Sequence, residues 1–199
     1  MSRNSSDTRI RILDCTWNLL ESGDKRVRMS DIAKAAGISR QALYLHFPKR
    51  AELLIATTRH IDSVKNMDAR LADSRAASSG ADRLVSFIKV WGSYIPEIHG
   101  LSFALRSMRD SDAEAAAAWD DRMQAVRHGC AAAVQALIAD KMLKSDLDGE
   151  VATDLLWTLL SVENWERLVR ECGWSQTEYE HQIRRLAEAA LLGSELVEK

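Results

Sequence analysis

The chain is predicted to be all-α, and three observations carry that prediction. Apolar residues recur at three-and-four spacing along nearly the whole sequence, and no stretch alternates as a half-buried strand does. Glycine and proline punctuate these stretches at Gly23, Gly37, Pro48, Pro96 and Gly173, where helices need stop signals. Hydrophobic residues make up 46% of the 199 positions, enough to bury cores without disulfide or metal staples.

Taken in order, Ile10, Leu13, Trp17 and Leu20 predict an amphipathic helix from about Asp7 to Ser22, closed by Gly23. Ahead of it, Arg3 is placed in a disordered tail. A short helix from Met29 to Ala36 turns Met29, Ile32, Ala33 and Ala36 inward, and Gly37 supplies the left-handed backbone that a tight turn requires. Ser39 is a natural N-cap for a third helix with Ala42, Leu43 and Phe47 on its inner side, ended near Pro48. A long helix is predicted from Arg50 to Asp73, followed by a small, polar linker candidate, RAASSG, at 75–80. Then come a helix from Ala81 to Tyr94 stopped by Pro96, a short one from Leu101 to Met108, and a long one from Ala113 to Leu143. The last two run from Gly149 to Cys172 and from Ser175 to Leu192, giving about nine helices in all.

The net charge of −2 is uneven. Residues 1–60 hold eleven Lys and Arg against six Asp and Glu, whereas the remainder holds sixteen against twenty-three. A basic head on an acidic body suits a phosphate-binding module on a neutral scaffold. The stretch MSDIAKAAGISRQALYLHFPKRAELL, from Met29 to Leu54, sharpens this. A short helix, a glycine-containing turn and a second short helix form the geometry that sets the second helix in a DNA major groove. Ile32, Ala33, Ile38 and Leu43 lock the pair, and the outer face is then Arg40, Gln41, Tyr44, Leu45 and His46, with Lys49 and Arg50 beyond. Arg and Gln make bidentate contacts to guanine and adenine, while Tyr, His and Lys hold phosphate oxygens.

This stretch resembles the TetR family of regulators. LYLHFPKRAELL is similar to that family's spacing of an aromatic residue, His-Phe, a basic residue and a leucine, here Tyr44, His46, Phe47, Arg50 and Leu53. ILDCTWNLLESG resembles the family's first helix and DIAKAAGIS its second helix and turn, so the likeness covers residues 9 to 55. Arg28 and Ala42 stand where the family often has threonine, so the second helix is expected to be capped by Ser30, or Arg28 to touch phosphate instead. Leu45 holds the variable position, where an apolar side chain can meet a thymine methyl. Arg28, Ser39, Arg40, Gln41, Tyr44, Leu45, His46, Lys49 and Arg50 are the expected DNA-binding residues. The resemblance implies a helix-turn-helix DNA-binding domain at 1–50 and a helical ligand-sensing and dimerisation domain at 51–199.

In that second part, the segment DLLWTLLSVENWERLV is apolar nearly all round and must be buried on several sides. The resemblance implies that the last two long helices pair with their copies. Trp165, Leu168, Tyr179, Ile183, Leu186 and Ala190 are the candidates for that interface. Five of the six tryptophans lie after residue 90, and Trp91, Tyr94, Phe103, Met108, Trp119, Met123 and Trp157 are candidates for a ligand pocket.

Other chemistry is not encoded in a recognisable way. Cys15, Cys130 and Cys172 lack any CxxC spacing, and the five histidines lack the helical spacing of a metal motif. Neither a serine elbow, a phosphate loop nor a dinucleotide fingerprint occurs, so no enzyme, metal or cofactor is expected. The N-terminus has no apolar signal core and no apolar run approaches the ~18 residues of a membrane span, which favours a cytoplasmic protein. The expected partners are a palindromic double-stranded operator, a second copy of the chain and a small, largely apolar effector. A ligand-independent regulator or activator of the same fold, or a helical-bundle enzyme, are the alternatives.

Overall fold

A computed structural model describes residues 3–22 and 27–193, with side chains from residue 5 onward. The helices are α1 (Arg3–Glu21), α2 (Met29–Ala35), α3 (Arg40–His46), α4 (Arg50–Val64), α5 (Met67–Arg70), α6 (Ala72–Arg75), α7 (Gly80–Met108), α8 (Ala113–Ala139), α9 (Gly149–Leu159), α10 (Val162–Trp165) and α11 (Gln176–Leu191). A π-helical turn, Glu166–Glu171, follows α10. Among the described residues the sole strand-like feature is an isolated bridge between Leu143 and Leu192, so the all-α expectation holds.

The chain divides into two compact units. One comprises Met1–Met67 and Ile98–Met123, the other Asp68–Glu97 and Gln124–Lys199. In the first unit α1 buries Ile12, Leu13, Thr16 and Leu20, a stripe rotated from the expected one, since Ile10 is exposed and Trp17 half-buried. α1 also begins earlier than expected, at Arg3, and the Gly23 stop lies outside the described residues. Against α1 pack α2 and α4, whose fully buried Ile32, Leu53 and Leu54 complete this core. α4 ends at Val64 rather than Asp73. Asn66 adopts a left-handed conformation (φ 53°), which Asn tolerates better than other side chains with a Cβ, and the chain continues as two single turns, α5 and α6.

The second unit revises three boundaries. Pro96 does not stop a helix: α7 runs through it for 29 residues. Proline lacks an N–H, so the Gly92 carbonyl four residues earlier has no helical donor. The Gln176 side chain supplies one, its Nε2 donating to the Gly92 oxygen at 3.0 Å, while its Oε1 accepts the Trp165 indole N–H at 2.9 Å. Close approach of α11 requires the glycine, since a Cβ at position 92 would lie 3.3 Å from Glu180 Cγ and 3.7 Å from Tyr179 Cε1. The expected helix from Gly149 to Cys172 is broken instead. α9 ends at Leu159, and Ser161 starts α10 by accepting the Asn164 backbone N–H at 3.2 Å. α8 ends at Ala139, four residues short of the expected end at Leu143, and the chain turns through Lys141 (φ 57°).

Candidate nucleic-acid interface

The reading head is closed by residues adjacent in sequence. Ser39 caps α3, its Oγ accepting the Ala42 N–H at 3.1 Å, as expected. At α2 the cap comes from neither Ser30 nor a threonine. The backbone N–H of Arg28 donates to Asp31 Oδ2 at 3.2 Å, the back-bond of a capping box made by a carboxylate three residues on. Gly37 makes the turn with φ 65°, a conformation that costs side chains with a Cβ roughly 1–2 kcal/mol. Leu43 and Phe47 are buried on the inner side of α3, which orients the opposite side outward.

That outer side carries most of the expected DNA-binding residues. Arg28, Ser39, Arg40, Gln41, Tyr44, Leu45 and Lys49 are exposed, Leu45 at 83% and Tyr44 at 42%. An apolar side chain so exposed, beside a tyrosine, has no packing role in its own chain. His46 is half-buried, and Arg50 is turned into an ion pair with Asp112, so these two stand apart from the open face. Arg28, Ser30, Arg40 and Tyr44 line a cleft of about 630 Å³, with Arg50, Met108, Ser111 and Asp112 among its other walls.

A residue absent from the sequence expectations completes the head. Arg9 of α1 stacks over the Phe47 ring, 4.1 Å from its centroid, and donates to the His46 carbonyl at 3.2 Å, covering the C-terminal end of α3. Its position outside the apolar stripe hints at a polar role, but a contact spanning 37 residues has no sequence signature. Nearby, His60 bonds Asp14 at 2.7 Å, tying α4 to α1.

The other expected sites are placed less compactly. Of the pocket candidates, Trp91, Tyr94 and Trp157 belong to the second unit, and Phe103, Met108, Trp119 and Met123 to the first. Trp91 and Tyr94 are core residues with ring centroids 6.0 Å apart. The Trp91 indole donates to the Leu160 carbonyl at 2.7 Å, and Arg70 stacks on Tyr94. Trp119 is buried, Met123 and Trp157 half-buried, and Phe103 exposed beside His99. Met108 alone of the seven lines the cleft of the reading head.

Among the interface candidates, Trp165, Tyr179 and Ile183 are buried within their own unit, Leu168 and Ala190 are half-buried, and Leu186 is 51% exposed. Val151 and Leu155, one turn apart on α9, are exposed as well, although the sequence expectations omit them. The apolar period of α9 alone does not say which stripe its own chain covers. The Tyr179 hydroxyl is buried without a hydrogen-bond partner among the described residues, and burial pushes its pKa up. No group of three or more His, Cys, Asp or Glu gathers as a metal site among the described residues. No described helix is long and apolar enough to cross a membrane.

Comparison with known proteins agrees with this arrangement. Residues 12–57 match the family model described as bacterial regulatory proteins, tetR family. No curated protein sequence matches the chain. Similar solved structures include a protein from Rhodococcus sp. described as a TetR-family transcriptional regulator, at 22% identity and a TM-score of 0.73 over 94% of this chain and 99% of that one. A transcriptional regulator from Saccharomonospora viridis, solved with choline, is 18% identical with a TM-score of 0.72, covering 94% and 99%. FadR from Bacillus subtilis, solved with stearoyl-CoA, is 16% identical with a TM-score of 0.72, covering 90% and 97%. At these identities the likeness is one of fold. The head, residues 12–57, thus matches the tetR family model, and the described chain shares its fold with solved structures described as TetR-family transcriptional regulators.

Proposed function

We propose that the chain is a sequence-specific DNA-binding regulator, acting as a dimeric repressor that a small, largely apolar effector releases from a palindromic operator. The observation that carries this reading is the outer face of α3: Arg40, Gln41, Tyr44 and Leu45 are all exposed, opposite the buried Leu43 and Phe47. Such a face offers hydrogen bonds to base edges and an apolar contact for a thymine methyl. Arg28, Ser39 and Lys49 stand around it as phosphate contacts, and residues 1–50 form the DNA-binding domain.

Pairing of two copies is supported by the exposed Leu186, Val151 and Leu155, with Leu168 and Ala190 half-buried. α9 and α11 pack on each other and carry four of these five residues. Trp165, Tyr179 and Ile183 brace that surface from within their own chain. Two linked heads match a palindrome whose half-sites lie about 34 Å apart and gain affinity from effective concentration.

Residues 51–199 serve as the sensing and dimerisation domain. Structural relatives are solved with choline in one case and stearoyl-CoA in another, and the acyl chain of the second supports an effector with a substantial apolar part. The Tyr179 hydroxyl, without a partner among the described residues, is a suitable polar contact for it, and Trp91, Tyr94 and Trp157 of the same unit supply apolar wall. Effector and operator weaken each other's binding by linkage, through a change in the pitch of α4. Function on chromosomal DNA places the protein in the cytoplasm.

The test is selection of duplexes from a random-sequence pool, followed by binding measurements on the retained sequence with Arg40→Ala, Gln41→Ala and Leu186→Arg variants. The reading expects an inverted repeat, loss of specificity with the first two, and loss of both dimer and tight binding with the third. Equal retention of all duplexes, with no preference for inverted symmetry, rejects it.

A further inference from the structure

Arg50 lies in the basic segment of the head, yet its side chain is only 12% exposed. Nε donates to the Val27 carbonyl at 2.7 Å, and Nη1 donates to both carboxylate oxygens of Asp112, at 3.0 and 2.8 Å. Asp112 is also the N-cap of α8, its Oδ1 accepting the backbone N–H groups of Glu114 and Ala115, each at 3.1 Å. Glu114 in turn accepts the Ala51 backbone N–H at 3.2 Å, in the first turn of α4. The N-termini of α4 and α8 are therefore both capped by acidic side chains from the start of α8, Glu114 on α4 and Asp112 on α8 itself. Further along the same two helices, Arg59 pairs with Asp121 at 2.8 Å and Arg122 with Asp62.

We propose that Arg50 is a positioning residue and not a phosphate contact: with Asp112 and Glu114 it forms a clamp that fixes α2 and α3 on α4 and so presents the reading helix. The inference rests on the DNA-binding reading above. A guanidinium has a planar fork of five N–H donors, so one side chain serves the Val27 carbonyl before α2 and the carboxylate before α8 together. The pair is largely withdrawn from water, which makes it worth more than an exposed ion pair. Its Nε and Nη1 donors are already committed to Val27 and Asp112.

Asp112 separates the two roles by sign. Its carboxylate lines the same cleft as Arg28 and Arg40, so as a mere neighbour of bound DNA it would repel phosphates, and its removal would tighten binding. As part of a clamp it must be retained. Asp112→Asn is the clean variant, because Asn caps a helix about as well as Asp and only the charge is lost.

Affinity is measured for a duplex retained from a random pool, across a range of salt concentrations. Asp112→Asn and Arg50→Met are each expected to weaken binding on the order of tenfold, with the double variant no worse than the weaker single one. The slope of log K against log salt stays at the wild-type value. Arg50→Lys, which keeps the charge but not the fork, also weakens binding. Glu114→Gln, which leaves the Arg50–Asp112 pair intact, gives a smaller loss in the same direction. Tighter binding by Asp112→Asn, or a slope lowered by about 0.9 in Arg50→Met, makes Arg50 a phosphate contact and overturns the proposal. Hydrogen exchange on the free protein is the second measurement. With the thermal transition retained, amides of α2 and α3 exchange faster in Asp112→Asn, and unchanged protection overturns the clamp. If wild-type protein retains no duplex, the DNA-binding reading fails, while the exchange measurement still decides the clamp.

Discussion

The helices of the head and of the second unit share local caps but differ in how far their other closing bonds reach. In the head, Asp31 caps α2 from three residues away and Ser39 caps α3 directly. The second unit has local caps too, Ser161 on α10 and Ser175 on α11, but it adds bonds from far along the chain. Gln176 reaches the Gly92 carbonyl across 84 residues, Trp91 reaches the Leu160 carbonyl across 69, and Asp140 accepts the Gly80 N–H at 2.6 Å across 60. Local closure leaves the outer face of α3 free to vary without disturbing how the helix starts or ends. Distant closure makes a single substitution in the second unit felt at two elements at once.

The largest test of this contrast is on the inner side of the head. Phe47→Ala removes a buried ring and the platform for Arg9, and is expected to cost about 3–5 kcal/mol in urea unfolding. Leu45→Ala, two residues away but outward-facing, stays within about 0.5 kcal/mol of wild type. Next comes the distant repair. Gln176→Leu strands both the Gly92 carbonyl and the Trp165 indole N–H, for a loss of about 2–4 kcal/mol, and Pro96→Ala restores part of it by returning a helical N–H. Failure of that rescue in thermal melts would separate the two residues and remove the explanation for an unbroken α7.

A smaller effect probes local closure. Ser39→Ala is expected to cost about 1 kcal/mol, and Ser39→Gly less, read from the shift in unfolding midpoint. The smallest concerns the thiols. Burial pushes Cys130 from its ordinary value of 9.0 up to about 12, whereas Cys172 is exposed. Native protein at pH 8 is therefore expected to show one fast-reacting thiol, Cys172, toward a disulfide reagent, with half-buried Cys15, whose pKa burial also raises, slower and Cys130 silent until unfolding. The unfolded thiol ionises first. The contribution of neutral Cys130 is thus complete below about pH 9 and falls away as pH climbs toward 12, and Cys130→Val flattens that part of the profile.

The same contrast explains how far the sequence could be read. α2, α3 and the turn between them lie where Met29, Gly37, Ser39 and Phe47 place them, because every signal involved acts within a few residues. The outward set on α3 follows from the same period. Arg50 does not, since its charge and position fit phosphate and only the fold reveals Asp112 opposite it. Asp112 and Glu114 look like an ordinary acidic helix start, and nothing local points them at α4. In the second unit, Pro96 carries a correct local rule that a distant glutamine overrides. The break at Ser161 is likewise hidden, inside an apolar run that continues on both sides of it. Tyr179 and Ile183 show the limit of an apolar stripe: it identifies a buried face without saying whose surface buries it.

The wide turn at Glu166–Glu171 bears on how length changes are tolerated. There the Cys172 N–H donates five residues back, to the Arg167 carbonyl at 2.9 Å, so the turn holds one residue more than an α-helix would. Removing a residue from an ordinary helix swings everything beyond it by about 100° and scrambles its contacts. Removing one here instead tightens the loop to regular pitch and leaves Gly173 and α11 in their original phase. This segment is therefore where homologous chains are expected to differ by a single-codon deletion, and where an alignment gap is more faithful than a forced match.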